Sequence, residues 1–510
     1  MFCQRFLHLW SFRRPSGNQI RFLPVAVGAA LLLGGCASSD PGGAFEGVQN
    51  AVSERTGRGI NVRWSRDAAA DAETQRAVEG LLHRRPLTAQ TAAQIAVLNN
   101  RSLQAEFEEV GIAHADYIQA GLLSNPEFST SFRFPNRPPS VVDAEYALAA
   151  NVLDLFLLPA RRKIAARELE RTKLRVAAEV LGLIAETKMA VYTLQARQQL
   201  DERLRLISQT NAAGAELARS LHDAGNITDL EFNTQQTPAT LAQTDAMQAQ
   251  VLIRSDRERL NRLMSLDGTQ ASSWRVSNSL PPIPAHDLSA KQLETAAVSQ
   301  RMDLAAARIN LDTVSQALAL RTKTRYLPTS ITLGVDTERG TDRQRVTGPT
   351  LDLQLPLFDQ GQGAVAKLSA QYRQARRQLE AAEINARSEL REARALVSAS
   401  RALALRYRDT VVPQARQIVE QTQVQYHAMQ RGGYDLLTAR ERELSAERAY
   451  LEVWRDYWTA RVELERALTS GGNADMGGRT RTATDGLGSP AEITASSAST
   501  RAAAAKGNAR

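Results

Sequence analysis

Residues 351–363 read Leu-Asp-Leu-Gln-Leu-Pro-Leu-Phe-Asp-Gln-Gly-Gln-Gly and join two kinds of pattern. Leu351, Leu353, Leu355 and Leu357 are apolar while Asp352 and Gln354 between them are polar, the period of two that a strand shows when its faces meet different media. After Phe358 that period is lost. Pro356, Gly361 and Gly363 punctuate the end of the strand, and from Ala364 the chain continues in Ala, Gln, Arg, Glu and Leu, the composition of a long helix. The rest of the chain must accommodate a two-faced strand that runs straight into such a helix.

Over 510 residues aromatics amount to only 5% and Gly and Pro are clustered, so long helices fit better than several compact cores. The net charge of +8 raises the question of nucleic acid. Arg and Glu are interspersed, however, and no basic patch with interleaved aromatics occurs, which reads as solvated helix faces and excludes that partner. The first 35 residues lack acids, carry Arg5, Arg13, Arg14 and Arg21, and hold an apolar run from Phe22 to Leu33. This reads as a signal peptide over 1–35. It ends in Leu33-Gly34-Gly35-Cys36, which resembles the bacterial lipobox and makes Cys36 the expected lipidation site, with Ala37 after it favouring outer-membrane sorting. One lipid group holds a protein only in part, so a second attachment to outer-membrane lipid is expected. Residues 36–85 read as a polar tether, and 470–510 as a disordered tail of Gly, Ser, Thr and Ala.

Between these ends the chain repeats itself. Leu87-Thr88 answers to Leu288-Ser289 at an offset of 201, Pro126 to Pro328 and Leu155-Phe156 to Leu357-Phe358 at 202, and Asp229-Leu230 to Asp435-Leu436 at 206. The two structural repeats are placed at 86–286 and 287–469. Each reads helix, strand, strand, long helix, turn, helix, with one helix expected from Thr88 to Leu122 and a capping box at Ser289–Gln292. Strands are expected at about 126–135 and 142–155, then at about 329–337 and 348–358. They have the length of tilted transmembrane strands. Four strands leave open edges that hydrocarbon does not tolerate, and closure needs at least eight. The strands therefore come from more than one chain, or else form a small half-covered sheet in a soluble domain. From Phe156 to Gly225 runs a helix of about 100 Å, with a stripe at Val176, Val180, Leu183, Val191 and Leu194 broken by Thr187.

On the duplicated unit, the Pro356–Gly363 stretch and the turn motifs Ile227-Thr228-Asp229-Leu230 and Gly433-Tyr434-Asp435-Leu436, the chain resembles the bacterial outer-membrane efflux proteins, the TolC-like family, in lipid-anchored form. The resemblance implies a mainly α chain with a small transmembrane β part. Four strands per chain complete a trimeric 12-stranded β-barrel continuous with a long periplasmic α-helical barrel. It implies a homotrimer whose tip, at Gly225, Asn226, Gly432 and Gly433, meets a periplasmic adaptor and an inner-membrane pump. It also implies a periplasmic lock of Asp229 on Tyr426 and Thr228 on Arg431, with Asp435 in the lumen. A second acid of the family is Thr438 here, which makes the constriction less acidic. Pro159, Pro356, Gly361 and Gly363 fall at the barrel-to-tunnel turns.

No HExxH, CxxC, phosphate-loop or GxSxG motif occurs, and His427 with Met429 does not complete a metal shell. The expectation is no enzyme, no cofactor and no metal, and a passive exit duct of a tripartite efflux system. A type I protein secretion component and a coiled-coil lipoprotein or adaptor remain alternatives.

Overall fold

The computed structural model describes residues 40–56, 59–83, 86–138, 141–285 and 300–471. The expected signal peptide with Cys36, the expected Ser289–Gln292 capping box and the expected tail beyond Gly471 lie outside the described residues.

Strands β1 (Glu127–Arg133), β2 (Asp143–Asn151), β3 (Ile331–Arg339) and β4 (Arg345–Leu353) form one antiparallel sheet in the order β1-β2-β3-β4. Its register sets Phe128, Leu148, Val335 and Pro349 in one row and Ala150, Leu333 and Leu351 in another. Side chains alternate between faces along each strand, so these rows share one apolar face. Phe128 is 65% exposed there, Leu148 54% and Leu351 58%. The other face carries rows such as Ser129, Ala147, Asp336 and Gly348, or Ser131, Glu145, Glu338 and Val346. Within the chain β1 and β4 each keep an unpaired edge.

Both strand ends differ from expectation. β4 stops at Leu353, not near 358. Gln354 donates to the Ser330 carbonyl (3.2 Å) and accepts from the Thr329 amide (3.0 Å), but Pro356 has no N–H to extend the ladder, and Leu355, Leu357 and Phe358 stand exposed beyond it. β2 stops at Asn151, not 155, because the Asn151 carboxamide oxygen accepts the Leu153 amide at 3.0 Å and starts helix α5 (Leu153–Asp223). Pro159 thus lies inside α5, in its second turn, rather than in a barrel-to-tunnel turn.

N-terminal to the sheet come α1 (Gly42–Thr56), α2 (Ala68–Leu82), α3 (Ala89–Asn99) and α4 (Arg101–Ala120). The expected tether over 36–85 is corrected for its described part. Phe45, Val48 and Val52 on α1, with Ile60, Val62 and Trp64 after it, are buried in the cluster that holds Phe107 and Val176. Phe45 meets Phe107 edge-on at 4.9 Å, and Trp64 Nε1 donates to Glu108 Oε1 at 2.8 Å. The Gly-rich, polar surroundings hid a helical stripe followed by a short alternating one. The single helix expected from Thr88 to Leu122 is also two helices, broken at Asn100. Its backbone is extended and its side chain caps the Leu103 amide, while the Asn99 and Asn100 amides donate to the Leu263, Met264 and Ser265 carbonyls. Those carbonyls end a helix and need outside donors.

The long elements follow. α5 (Leu153–Asp223) has 71 residues, about 105 Å at 1.5 Å each. It packs beside α6 (Asp229–Met264) and α11 (Gly433–Thr469). α7 (Gly268–Ser273) follows α6, and α8 (Met302–Thr324) lies against α5 and α9 (Gln362–Arg406). α9 passes through a π turn at Tyr407–Val411 into α10 (Val412–His427), and both pack on α11. The long helices thus lie in a layer with α6 at one border and α9–α10 at the other. Along α5, Val176, Val180, Val191 and Leu194 are buried. Buried Thr187 satisfies its hydroxyl on the Leu183 carbonyl at 2.8 Å, so the break in the stripe costs little. Buried Arg301 joins Asp303 (2.6 Å) and Glu389 (2.8 Å), tying the start of α8 to α9.

Candidate functional site

Two hairpin tips stand side by side at the end of the helical layer. The first joins α5 to α6, turning at Gly225 with φ +72°. Thr228 caps α6 in a capping box: its Oγ1 accepts the Glu231 amide at 3.3 Å, and Glu231 Oε2 accepts the Thr228 amide at 2.9 Å. Asp229 Oδ1 lies 2.7 Å from His222 Nε2, and the His222 ring stacks on Phe232 at 4.9 Å. The second tip joins α10 to α11. There Asp435 Oδ2 accepts the Gly432 amide at 3.1 Å, and Arg431 lies 3.9 Å from Asp435 and 3.4 Å from Gln425 Oε1. The two hairpins meet where a side chain on Gly433 of the second would stand 3.4 Å from Leu217 of the first.

At the far end, the polar face of the sheet carries Glu127, Asp143, Glu145, Asp336, Glu338 and Asp352 against a single Arg133. Arg133 bridges Asp143 (3.4 Å) and Glu145 (3.0 Å), which leaves that face anionic. The apolar face has no acid.

No family model matches the sequence. The chain is 26% identical over 394 residues to the cobalt-zinc-cadmium resistance protein CzcC of Cupriavidus metallidurans, spanning 75% of this chain and 90% of CzcC. Among solved structures, CusC superposes with TM-score 0.63 at 15% identity, covering 76% of this chain and 93% of CusC. The Campylobacter jejuni CmeC outer membrane channel superposes with TM-score 0.60 at 15% identity, covering 81% and 89%. The open-state Neisseria gonorrhoeae MtrE outer membrane channel gives 0.58 at 18% identity, covering 75% and 89%. The chain has the fold of these outer membrane channels.

Within the chain neither expected lock pair forms. Thr228 serves its own helix start and Asp229 sits on His222, because a capping box and a histidine seven residues away offer partners on the same hairpin, whereas Tyr426 and Arg431 stand on the other. The Asp229 side chain is 90% exposed, Arg431 56% and Asp435 49%, so all three are open to solvent in the single chain. His222, Glu231 and Gln425 were missed by sequence reasoning. The Thr228-x-x-Glu231 spacing carried a legible signal; His222 carried none.

At the junction of sheet and helices only one of the two expected glycines turns the chain. Gly361 has φ +74°, donates its amide to Asp359 Oδ1 at 2.8 Å, and accepts the Val365 amide on its carbonyl to open α9. Gly363 is already inside α9, with open space where a Cβ would stand. Among the described residues no helix is long and apolar enough to cross a membrane, and no group of three His, Cys, Asp or Glu side chains converges as a metal site.

Proposed function

We propose that the protein is the outer-membrane exit duct of a tripartite efflux system, working as a homotrimer. The sheet carries this reading: four strands with two free edges, one exposed apolar face and one anionic face, running directly into a helix of 71 residues. Free strand edges cannot stand in hydrocarbon. Three copies closing β4 against a neighbour's β1 supply twelve strands, with leucines and phenylalanines toward lipid and the acids toward the lumen. The α6 border of each helical layer then meets a neighbour's α9–α10 border, and the helices form a tunnel through the periplasm to an adaptor and an inner-membrane pump. Acylated Cys36 gives the second attachment to the membrane.

The cargo is divalent metal cations. Two observations support this: the likeness to a cobalt-zinc-cadmium resistance protein, and a sheet lumen whose field concentrates cations. Conduction is passive. Exposed Asp229, Arg431 and Asp435 of neighbouring protomers hold the tips together, and an adaptor that binds the splayed form better shifts the population toward open.

Reconstitution in planar bilayers tests the duct. We expect trimers in detergent, single-channel conductance, and a reversal potential in a salt gradient of the sign for cation preference. A monomer without conductance overturns the reading. The variant Asp229→Ala with Arg431→Ser raises conductance; unchanged conductance removes the tip residues from the gate and leaves the duct.

A further inference from the structure

We propose that the helical end of the sheet is a binding collar for anionic phospholipid headgroups, fixing the depth at which the protein sits in the inner leaflet of its membrane. The proposal rests on reading the sheet as membrane-spanning. By register, β1 begins, β2 ends, β3 begins and β4 ends at one end of the sheet, the end where the helices attach. Within a few residues of each strand a large apolar side chain stands exposed: Leu123 before β1 (53%), Phe156 after β2 (73%), Tyr326 before β3 (67%) and Phe358 after β4 (94%). One such residue per strand makes a ring, and three of the four are aromatic. Aromatic girdles mark the boundary between hydrocarbon and water in membrane barrels.

Just beyond the ring stand Lys163 on α5, Lys323 in the last turn of α8, and Arg325. Among the described residues none of these three pairs with a carboxylate, whereas Asp154 holds Arg161 at 2.6 Å, Asp359 accepts the Gly361 amide, and Glu127 and Asp352 lie on the opposite, polar face of the sheet. The Arg325 guanidinium lies 4.6 Å over the Tyr326 ring, with its Nε buried and without a hydrogen-bond partner. α5 runs away from the sheet, and helical side chains tilt toward the N-terminus, so Lys163 leans back toward the ring. An apolar ring backed by unpaired cations matches one occupant, a lipid whose tails meet the ring and whose phosphate meets the cations. Juxtamembrane cations attract anionic leaflets, about fivefold in affinity for each.

The test is native mass spectrometry of the full-length trimer in detergent, titrated separately with phosphatidylglycerol and phosphatidylcholine. With three cations at about fivefold each, wild type is expected to retain phosphatidylglycerol on the order of a hundredfold better. The variant Lys163→Gln, Lys323→Gln, Arg325→Gln loses that preference with unchanged conductance, while Arg343→Gln at the other end of the sheet keeps it. Equal retention of the two lipids by wild type, or a preference that survives in the triple variant, overturns the collar. Should the triple variant fail to assemble, the wild type decides by salt: a preference that persists undiminished in 0.5 M NaCl is not electrostatic and refutes the proposal. Normal conductance without lipid preference sinks the collar alone, and absent conductance sinks the duct.

Discussion

Substituting alanine at the two glycines of the Leu351–Gly363 stretch should have opposite effects. Gly361 holds φ +74°, where an L-residue costs about 1–2 kcal/mol. A Cβ there would also stand 2.8 Å from Arg321 Nη2. That contact is with the end of a flexible side chain, so it adds little, and Gly361→Ala should destabilise by about 1–2 kcal/mol. Gly363 is helical with nothing near its missing Cβ. There alanine should stabilise, by about 0.5–1 kcal/mol at most because the position lies in the first turn. The two variants therefore differ by roughly 2 kcal/mol. Urea midpoints of the helical signal at 222 nm, measured on detergent-solubilised protein, resolve such a difference. Equal destabilisation by both would refute the assignment of the turn to Gly361 alone.

Three further outcomes are expected. Asp336→Asn with Glu338→Gln removes two of the six acids from the polar face of each sheet and should lower the cation-to-anion permeability ratio in planar bilayers; an unchanged ratio would take these acids out of the lumen. Trp274 is 1% exposed, donates Nε1 to Asn261 Oδ1 at 2.9 Å and lies 4.1 Å beneath the Arg257 guanidinium, so Trp274→Ala should cost about 3–5 kcal/mol in chemical denaturation. The Glu179 carboxyl is pushed above the usual carboxylate range by burial and by Glu106, against the pull of Arg175. Its charged form is therefore disfavoured in the folded state at neutral pH, and the penalty fades as pH falls through the raised folded value. Glu179→Gln should raise the melting temperature near pH 7.5, with a gain that shrinks toward pH 4; a gain that grows on acidification would reverse this sign.

The anatomy of the β part was legible early. Alternation in Phe128–Phe132, Leu148–Ala150 and Leu351–Leu353 exposes a two-faced sheet, since side-chain period depends only on local backbone geometry. Helical composition after Ala364 and the stripe at Val176, Val180, Val191 and Leu194 are likewise local signals, and they placed the long helices correctly.

Where each element stops was not local. Leu355 and Leu357 continue the alternation, yet β4 ends at Leu353 because its partner β3 begins at Ile331 and Pro356 offers no amide for further pairing. The break at Asn100 exists because the end of α6 presents bare carbonyls to it, 163 residues further along the chain. The burial of α1 against α4 and α5 needed surfaces that its own polar sequence did not announce. At the tip, Asp229 found His222 rather than Tyr426, a choice made by which side chains share a hairpin. By itself the sequence determined the periods, and with them the kinds of element and the unlike faces of the sheet. Tertiary structure alone decided the ends and the polar partners, because a backbone ladder or a side-chain hydrogen bond depends on what lies opposite, which one stretch of chain does not encode.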